Sequence, residues 1–280
     1  MKIVTLTDNR ASDSELKTEH GLSVYIETEN HKVLFDTGQS ALFAQNADKL
    51  GIDLQQIDLV VISHGHYDHI GGLRHFLEMN HHAKVILKRE IFDYQYQSVK
   101  AGTVKQIGAD PMLLEYQNRF IFPENNLTSI DSLHIIKEIE PPYPQPKGNK
   151  LLFKSDGEVM EEDDFEHELL FVIENNNKLV IFTGCAHHGV LNMIHTAKQH
   201  FPGKAIQLIF GGFHLIDPNS FTTVENSDEL EEIRDTINSM TDDETIIYTG
   251  HCTGNKALEA LTQGMGDKIK SIYTGLTINL

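Results

Sequence analysis

Cysteine is nearly missing from this sequence: its 280 residues include two, Cys185 and Cys252. One possible bridge in so long a chain excludes a disulfide scaffold. The two thiols are left as small core residues or as participants in chemistry. Long hydrophobic runs are missing as well. No stretch approaches the ~20 apolar residues of a membrane span. Residues 1–8 turn polar too early to form the apolar centre of a signal peptide. These absences predict a soluble, cytoplasmic protein with no membrane partner. Positive charge is scarce, with 23 Lys and Arg against 41 Asp and Glu and a formal charge of −18. Such a surface repels phosphate backbones, so no nucleic-acid partner is expected. A small-molecule substrate is the expected partner, and no pattern specifies an oligomeric state.

What the chain does have is apolar residue, 40 % of the total, and sixteen histidines. The apolar share suffices for a sizeable core, and the length suits a single domain over 1–280. Alternating apolar runs predict strands at 2–7, 22–27 and 32–35, the last two as a hairpin. Helical spacing marks 41–50, and a β-branched run at 57–62 predicts a strand. The stretch 88–154 is different. It mixes aromatic and polar residues and ends in Pro141-Pro142-Tyr143-Pro144-Gln145-Pro146, which fits neither helix nor inner strand. We read it as an insertion or cap over the rim of the core fold. Beyond it, 169–173 and 179–183 read as a hairpin, 206–210 and 245–248 as strands, and 189–200, 227–240 and 256–263 as helices. Ser227 is the expected N-cap of the second of these helices, with acids in its first turn.

Four of the predicted strands end in a glycine-containing loop that carries histidine. Residues 59–62 lead to Ser63-His64-Gly65-His66-Tyr67-Asp68-His69. Residues 179–182 lead to Thr183-Gly184-Cys185-Ala186-His187-His188-Gly189. Residues 208–210 lead to Gly211-Gly212-Phe213-His214, and 246–248 to Thr249-Gly250-His251-Cys252-Thr253-Gly254. Strands that run the same way in one sheet place such loops along one edge, where sites tend to lie. Imidazole and carboxylate are ligands that suit zinc and similar divalent ions. In an extended loop His64 and His66 point to the same side, because the side-chain period is two. The spacing lets His64 and His66 grip one ion and Asp68 and His69 a neighbour. His187 and His251 are the expected further ligands. The alternatives are His188 or Cys185 for the first and a core histidine for the second. His214 is a candidate ligand, supporting group or proton donor, and His167 an open case. His31, His75, His81, His82, His134, His195 and His200 are expected at the surface.

His64-Gly65-His66-Tyr67-Asp68-His69 and the upstream Val33-Leu34-Phe35-Asp36-Thr37-Gly38 resemble the signatures of the metallo-β-lactamase fold superfamily of metal-dependent hydrolases. Glu19-His20-Gly21-Leu22-Ser23, Thr183-Gly184-Cys185, Gly211-Gly212-Phe213-His214 and Gly250-His251-Cys252-Thr253-Gly254 are most similar to the branch of methanopterin-pathway dihydropteroate synthase-like proteins. The resemblance implies an α/β (α+β type) fold, a four-layer αββα sandwich with the metals at one edge of its two sheets. It implies His64, His66 and His187 near one ion and Asp68, His69 and His251 near the other, with Asp36 supporting the metal loop. Many members carry aspartate after the strand's Thr-Gly. Cys185 stands there in this chain and is a further candidate ligand. The expected cofactors are two divalent ions, zinc foremost, with iron, manganese or nickel as alternatives.

The expected activity is hydrolysis, with ions activating water against a small phosphate ester or related substrate, and with Asp68 and His214 as catalytic candidates. The resemblance alone adds a pterin-related synthase or transferase, in which metals assist pyrophosphate departure. A non-catalytic metal-dependent sensor is the third reading.

Overall fold

A computed structural model describes residues 1–100, 102–216 and 224–280. Two sheets of seven strands organise it. In spatial order the first runs Thr277–Asn279, Lys2–Thr7, Ser23–Glu27, Lys32–Phe35, Leu59–Val61, Lys84–Ile86 and Phe120–Ile121. The second runs Ile269–Ser271, Ile246–Thr249, Ile206–Gly211, Lys178–Phe182, Leu170–Asn175, Leu133–Ile136 and Leu127–Ile130.

The period-two alternation of the strands explains how these sheets stack. Val33, Phe35, Leu59 and Val61 of the first sheet share one buried cluster with Phe171, Val180, Phe182, Leu208 and Phe210 of the second. Their sequence neighbours point the other way. Leu34 and Val60 pack with Phe43, Leu73, Phe76 and Leu77 of the helices Leu42–Lys49 and Leu73–Met79. Leu179, Ile181 and Ile209 pack with Ile194, Leu230, Ile237 and Leu261 of the helices Val190–His200, Ser227–Met240 and Asn255–Met265. Helix, sheet, sheet and helix therefore form four layers, the architecture that the sequence motifs imply. Both faces of each sheet are covered, which is why the strands read as continuous apolar runs. Among the described residues no helix is long and apolar enough to cross a membrane.

The stretch 88–154 divides between two destinations. Phe120–Ile121, Leu127–Ile130 and Leu133–Ile136 join the main sheets. Gln95–Lys100, Thr103–Gln106 and Leu152–Ser155 form a separate four-stranded sheet together with Met160–Glu162. The helix Ser227–Met240 is present, but its cap differs from the expectation. Asn226, not Ser227, accepts the Glu229 amide, while the Glu229 carboxylate accepts the Asn226 amide. This reciprocal pair satisfies two amides that the first turn leaves free. His134, expected at the surface, is buried on the ring of Phe201 and paired with the Ser129 hydroxyl.

Candidate metal centre

Strands Lys178–Phe182, Ile206–Gly211 and Ile246–Thr249 lie side by side and parallel. Their three exit loops consequently emerge at one edge. The exit loop of Leu59–Val61 reaches this edge from the opposite sheet, where the Leu169 amide donates to the Ser63 carbonyl at 2.8 Å. Gly184 makes the approach possible. Its φ is +59°, and a Cβ there would sit 2.4 Å from the Ser63 hydroxyl. The loops are held in unusual backbone states. Asp36, Phe165, Ala186, His214 and His251 all have positive φ between 49° and 59°. Such states cost roughly 1–3 kcal/mol each and persist where surrounding structure fixes them.

His64, His66 and His187 form a buried triangle with ring centroids 4.7 to 4.9 Å apart. Asp68, His69, Cys185 and His251 converge beside it, their candidate donor atoms within 4.8 Å of one another. The Asp68 Oδ2 lies 3.1 Å from His251 Nε2 and 3.8 Å from His69 Nε2. The Cys185 Sγ is 3.0 Å from His69 Nε2 and also falls within reach of His64 and His187. Cys185 thus stands between the two groups. His188 is in neither group; its Nδ1 and amide both lie 2.8 Å from Glu168 Oε2.

Whether these residues fit a cation is tested by their proton positions. The Ser63 hydroxyl donates to Asp36 Oδ2 at 2.7 Å, so it can only accept from His64 Nδ1 at 2.9 Å. The Asn149 amide donates to the His187 carbonyl, which turns its oxygen toward His187 Nδ1 at 3.0 Å. The Asn9 amide donates to the His251 carbonyl, and its oxygen accepts from His251 Nδ1 at 3.1 Å. Asp36 accepts from His69 Nδ1 at 2.6 Å. In each case the outer ring nitrogen is taken, and Nε2 faces the cluster. The Nε2 atoms of His64, His66 and His187 are buried without a hydrogen-bond partner. Buried polar atoms are normally satisfied, so the unpaired nitrogens of His64 and His187, grouped with the Cys185 thiol, suit a cation that needs lone pairs, while that of His66 faces Asp163 and His167.

Electrostatics divides the groups in the same way. Burial, reinforced by neighbouring imidazoles, holds His64 and His187 well below the ordinary histidine range. They are neutral donors near pH 7. His66 is likewise lowered by burial, against the pull of Asp163. Burial would raise Asp68, but His69 and hydrogen bonds from His20 and His251 hold it well below the carboxylate range. Burial would lower His69 and His251. Asp36 and Asp68 raise the first, and Asp68 and Cys252 raise the second. Burial and the adjacent Cys252 raise Cys185.

His214 is buried with both ring nitrogens unpartnered, its ring 4.2 Å from that of His187, and it groups with Cys185 and Cys252. It therefore sits against the histidine triangle. Sequence reasoning missed Asn9 and Asn149, which carry no local signal for a role they acquire only through tertiary contact. It also missed Asp163. The buried run Asp163, Phe165, His167 and Glu168 wraps the triangle, with Phe165 stacked on His187 at 4.5 Å and 1°. His20, noted only within a motif, has its Nε2 3.2 Å from Asp68.

Two openings border the groups. A cavity of about 90 Å³ is lined by His20, His66, Tyr67, Asp68 and Lys105, and another of about 270 Å³ by Asn9, Arg10 and His251. A third, of about 190 Å³ and more apolar, lies among Tyr143, Val190, Phe213 and Ile233. It shares no residue with either group.

Residues 16–251 match the metallo-beta-lactamase superfamily. The chain is 26 % identical to a Methanocaldococcus jannaschii protein, 7,8-dihydropterin-6-methyl-4-(beta-D-ribofuranosyl)-aminobenzene-5'-phosphate synthase, over 99 % of this chain and 96 % of that one. It is 30 % identical to the uncharacterized protein MJ0448 of the same organism, over 93 % and 94 %. Among solved structures, Tm1679, described as a metal-dependent hydrolase of the beta-lactamase superfamily, superposes with a TM-score of 0.83 at 30 % identity, covering 100 % and 99 % of the two chains.

Proposed function

The chain belongs to the metallo-beta-lactamase superfamily, and from that premise we propose that it is a hydrolase with two divalent ions, zinc foremost, acting on a small phosphate ester or related anion. The observation that carries this reading is the pair of buried, unpaired Nε2 atoms on His64 and His187, with the His66 ring against both, beside a second group built on Asp68, His69 and His251. Such ions supply Lewis acidity and make water acidic enough to act near neutral pH. The chain's residues do the rest. Ser63, Asp36, Asn149 and Asn9 hold the ligand rings in one tautomer and one orientation. His214, against His187, is placed to pass a proton to a leaving group. Asp68 contributes the charge that draws the second ion.

The anionic substrate class draws support from the openings. In a chain of formal charge −18, each of the two bordering cavities carries one lysine or arginine, Lys105 in one and Arg10 in the other. Both are exposed, and a cation at the mouth of a site attracts a phosphoryl group. The test uses the zinc-loaded protein against chromogenic phosphomonoesters, phosphodiesters and thioesters. Hydrolysis that is lost on chelation and in His66→Ala is the expected result. No cleavage of any of them, or equal cleavage by His66→Ala, would refute the reading.

The second reading is a pterin-related synthase, favoured by the near-full-length relative with that printed name. Binding of a reduced pterin, followed by fluorescence, distinguishes the two. Absence of binding counts against the synthase.

A further inference from the structure

Asp163 is a buried carboxylate whose only ion-pair partners among the described residues are two imidazoles, His167 and His66. No lysine or arginine is paired with it. An uncompensated buried charge costs several kcal/mol, so a carboxylate kept in such a place needs a reason.

Its hydrogen bonds show where its charge is directed. Oδ1 accepts the Phe165 amide at 2.8 Å, leaving Oδ2 for the two rings. The Gly65 amide donates to His167 Nδ1 at 3.0 Å, so neutral His167 carries its proton on Nε2 and donates it to Asp163 Oδ2 at 3.1 Å. His167 is in turn fixed by the ring of Tyr96, 4.2 Å away, whose hydroxyl donates to the Glu90 carbonyl. Oδ2 also lies 3.6 Å from His66 Nε2, which has no other hydrogen-bond partner, so Nδ1 is the nitrogen of His66 left for a cation. Gly65 lies between His64 and His66 in the chain, so one clamp grips both the loop backbone and the ring it carries.

We propose that Asp163, held by His167, is a positioning residue that orients His66 and supplies the negative charge balancing the cation bound by His64, His66 and His187. It comes from the segment that follows the four-stranded sheet, not from any of the four strand exits. This inference rests on the reading that the triangle holds a cation. Carboxylates that orient ligand histidines typically contribute 10–100-fold to metal affinity.

The experiment measures Zn²⁺ affinity by competition with a chromophoric chelator, and apo-protein thermal midpoints alongside, for the wild type, Asp163→Asn and Asp163→Glu. Asp163→Asn keeps the volume and an acceptor but removes the charge. The expected result is roughly 10–100-fold weaker Zn²⁺ binding by the Asn variant, partial recovery in the Glu variant, and an apo midpoint that is unchanged or higher. If the Asn variant accumulates poorly, His167→Asn releases the clamp and gives a loss of affinity in the same direction. Affinity equal to wild type would overturn the inference, and so would a loss accompanied by a matching fall in the apo midpoint. A wild-type protein that binds no Zn²⁺ would instead sink the cation reading beneath it.

Discussion

A buried imidazole offers its lone pair to a cation when its other nitrogen carries the proton and donates it to a fixed acceptor. That requirement accounts for residues of no obvious chemistry. Asn9 and Asn149 lie far from their histidines in sequence, at separations of 242 and 38 residues, and an isolated asparagine has no pattern to read. The candidate ligands were legible because His64, His66, Asp68 and His69 crowd into one short stretch. Cys185 was legible as a departure, and its buried place between the two groups explains why a thiol there bears on both. Asp8, just before Asn9, is another residue with a readable cost. It is fully buried with Oδ2 unpartnered, and burial raises its carboxyl from the ordinary 3.8 to about 6 despite His251 and Arg10. The folded chain thus holds this proton more tightly than the unfolded chain, so stability falls as pH rises between those two values, by about 3 kcal/mol in all. Asp8→Asn, in the chelated protein, is expected to raise the thermal midpoint at pH 8 and to change it little at pH 4. An equal effect at both pH values would contradict the burial argument.

At the scale of elements, the strongly patterned pieces were readable and their edges were not. The strand expected over 57–62 is regular only over Leu59–Val61, because Ile57 still closes the turn Leu54–Gln56 and Ile62 leads into the histidine loop. The Asp68 and His69 pair, expected to grip a second ion, sits in the short helix Tyr67–Ile70, which brings Asp68 beside His251. The pieces of 88–154 were hard to place because short strands such as Phe120–Ile121 take their identity from a partner strand, not from their own two residues. The helix Ser227–Met240 illustrates local chemistry that sequence does contain, displaced by one position. Asn226→Ala removes the capping box and is expected to cost about 1 kcal/mol in chemical denaturation, with zinc affinity unchanged. No loss of stability would show that the cap is dispensable, and a loss of affinity would tie this helix to the site.

At the scale of the whole molecule, stacking two sheets face to face sets the exit of Leu59–Val61 against three exits from the opposing sheet. The main core between the sheets fixes that meeting, and the site inherits its rigidity from the packing beneath it. The number of ions it holds is the central claim. The direct measurement is titration of the chelated protein with Co²⁺, read by visible absorption, for the wild type, His187→Ala and His251→Ala. The account predicts two equivalents in the wild type and one in each variant, with different residual spectra because each variant loses a different ion. A wild-type protein that takes up fewer than two, or variants that still take up two, would contradict it.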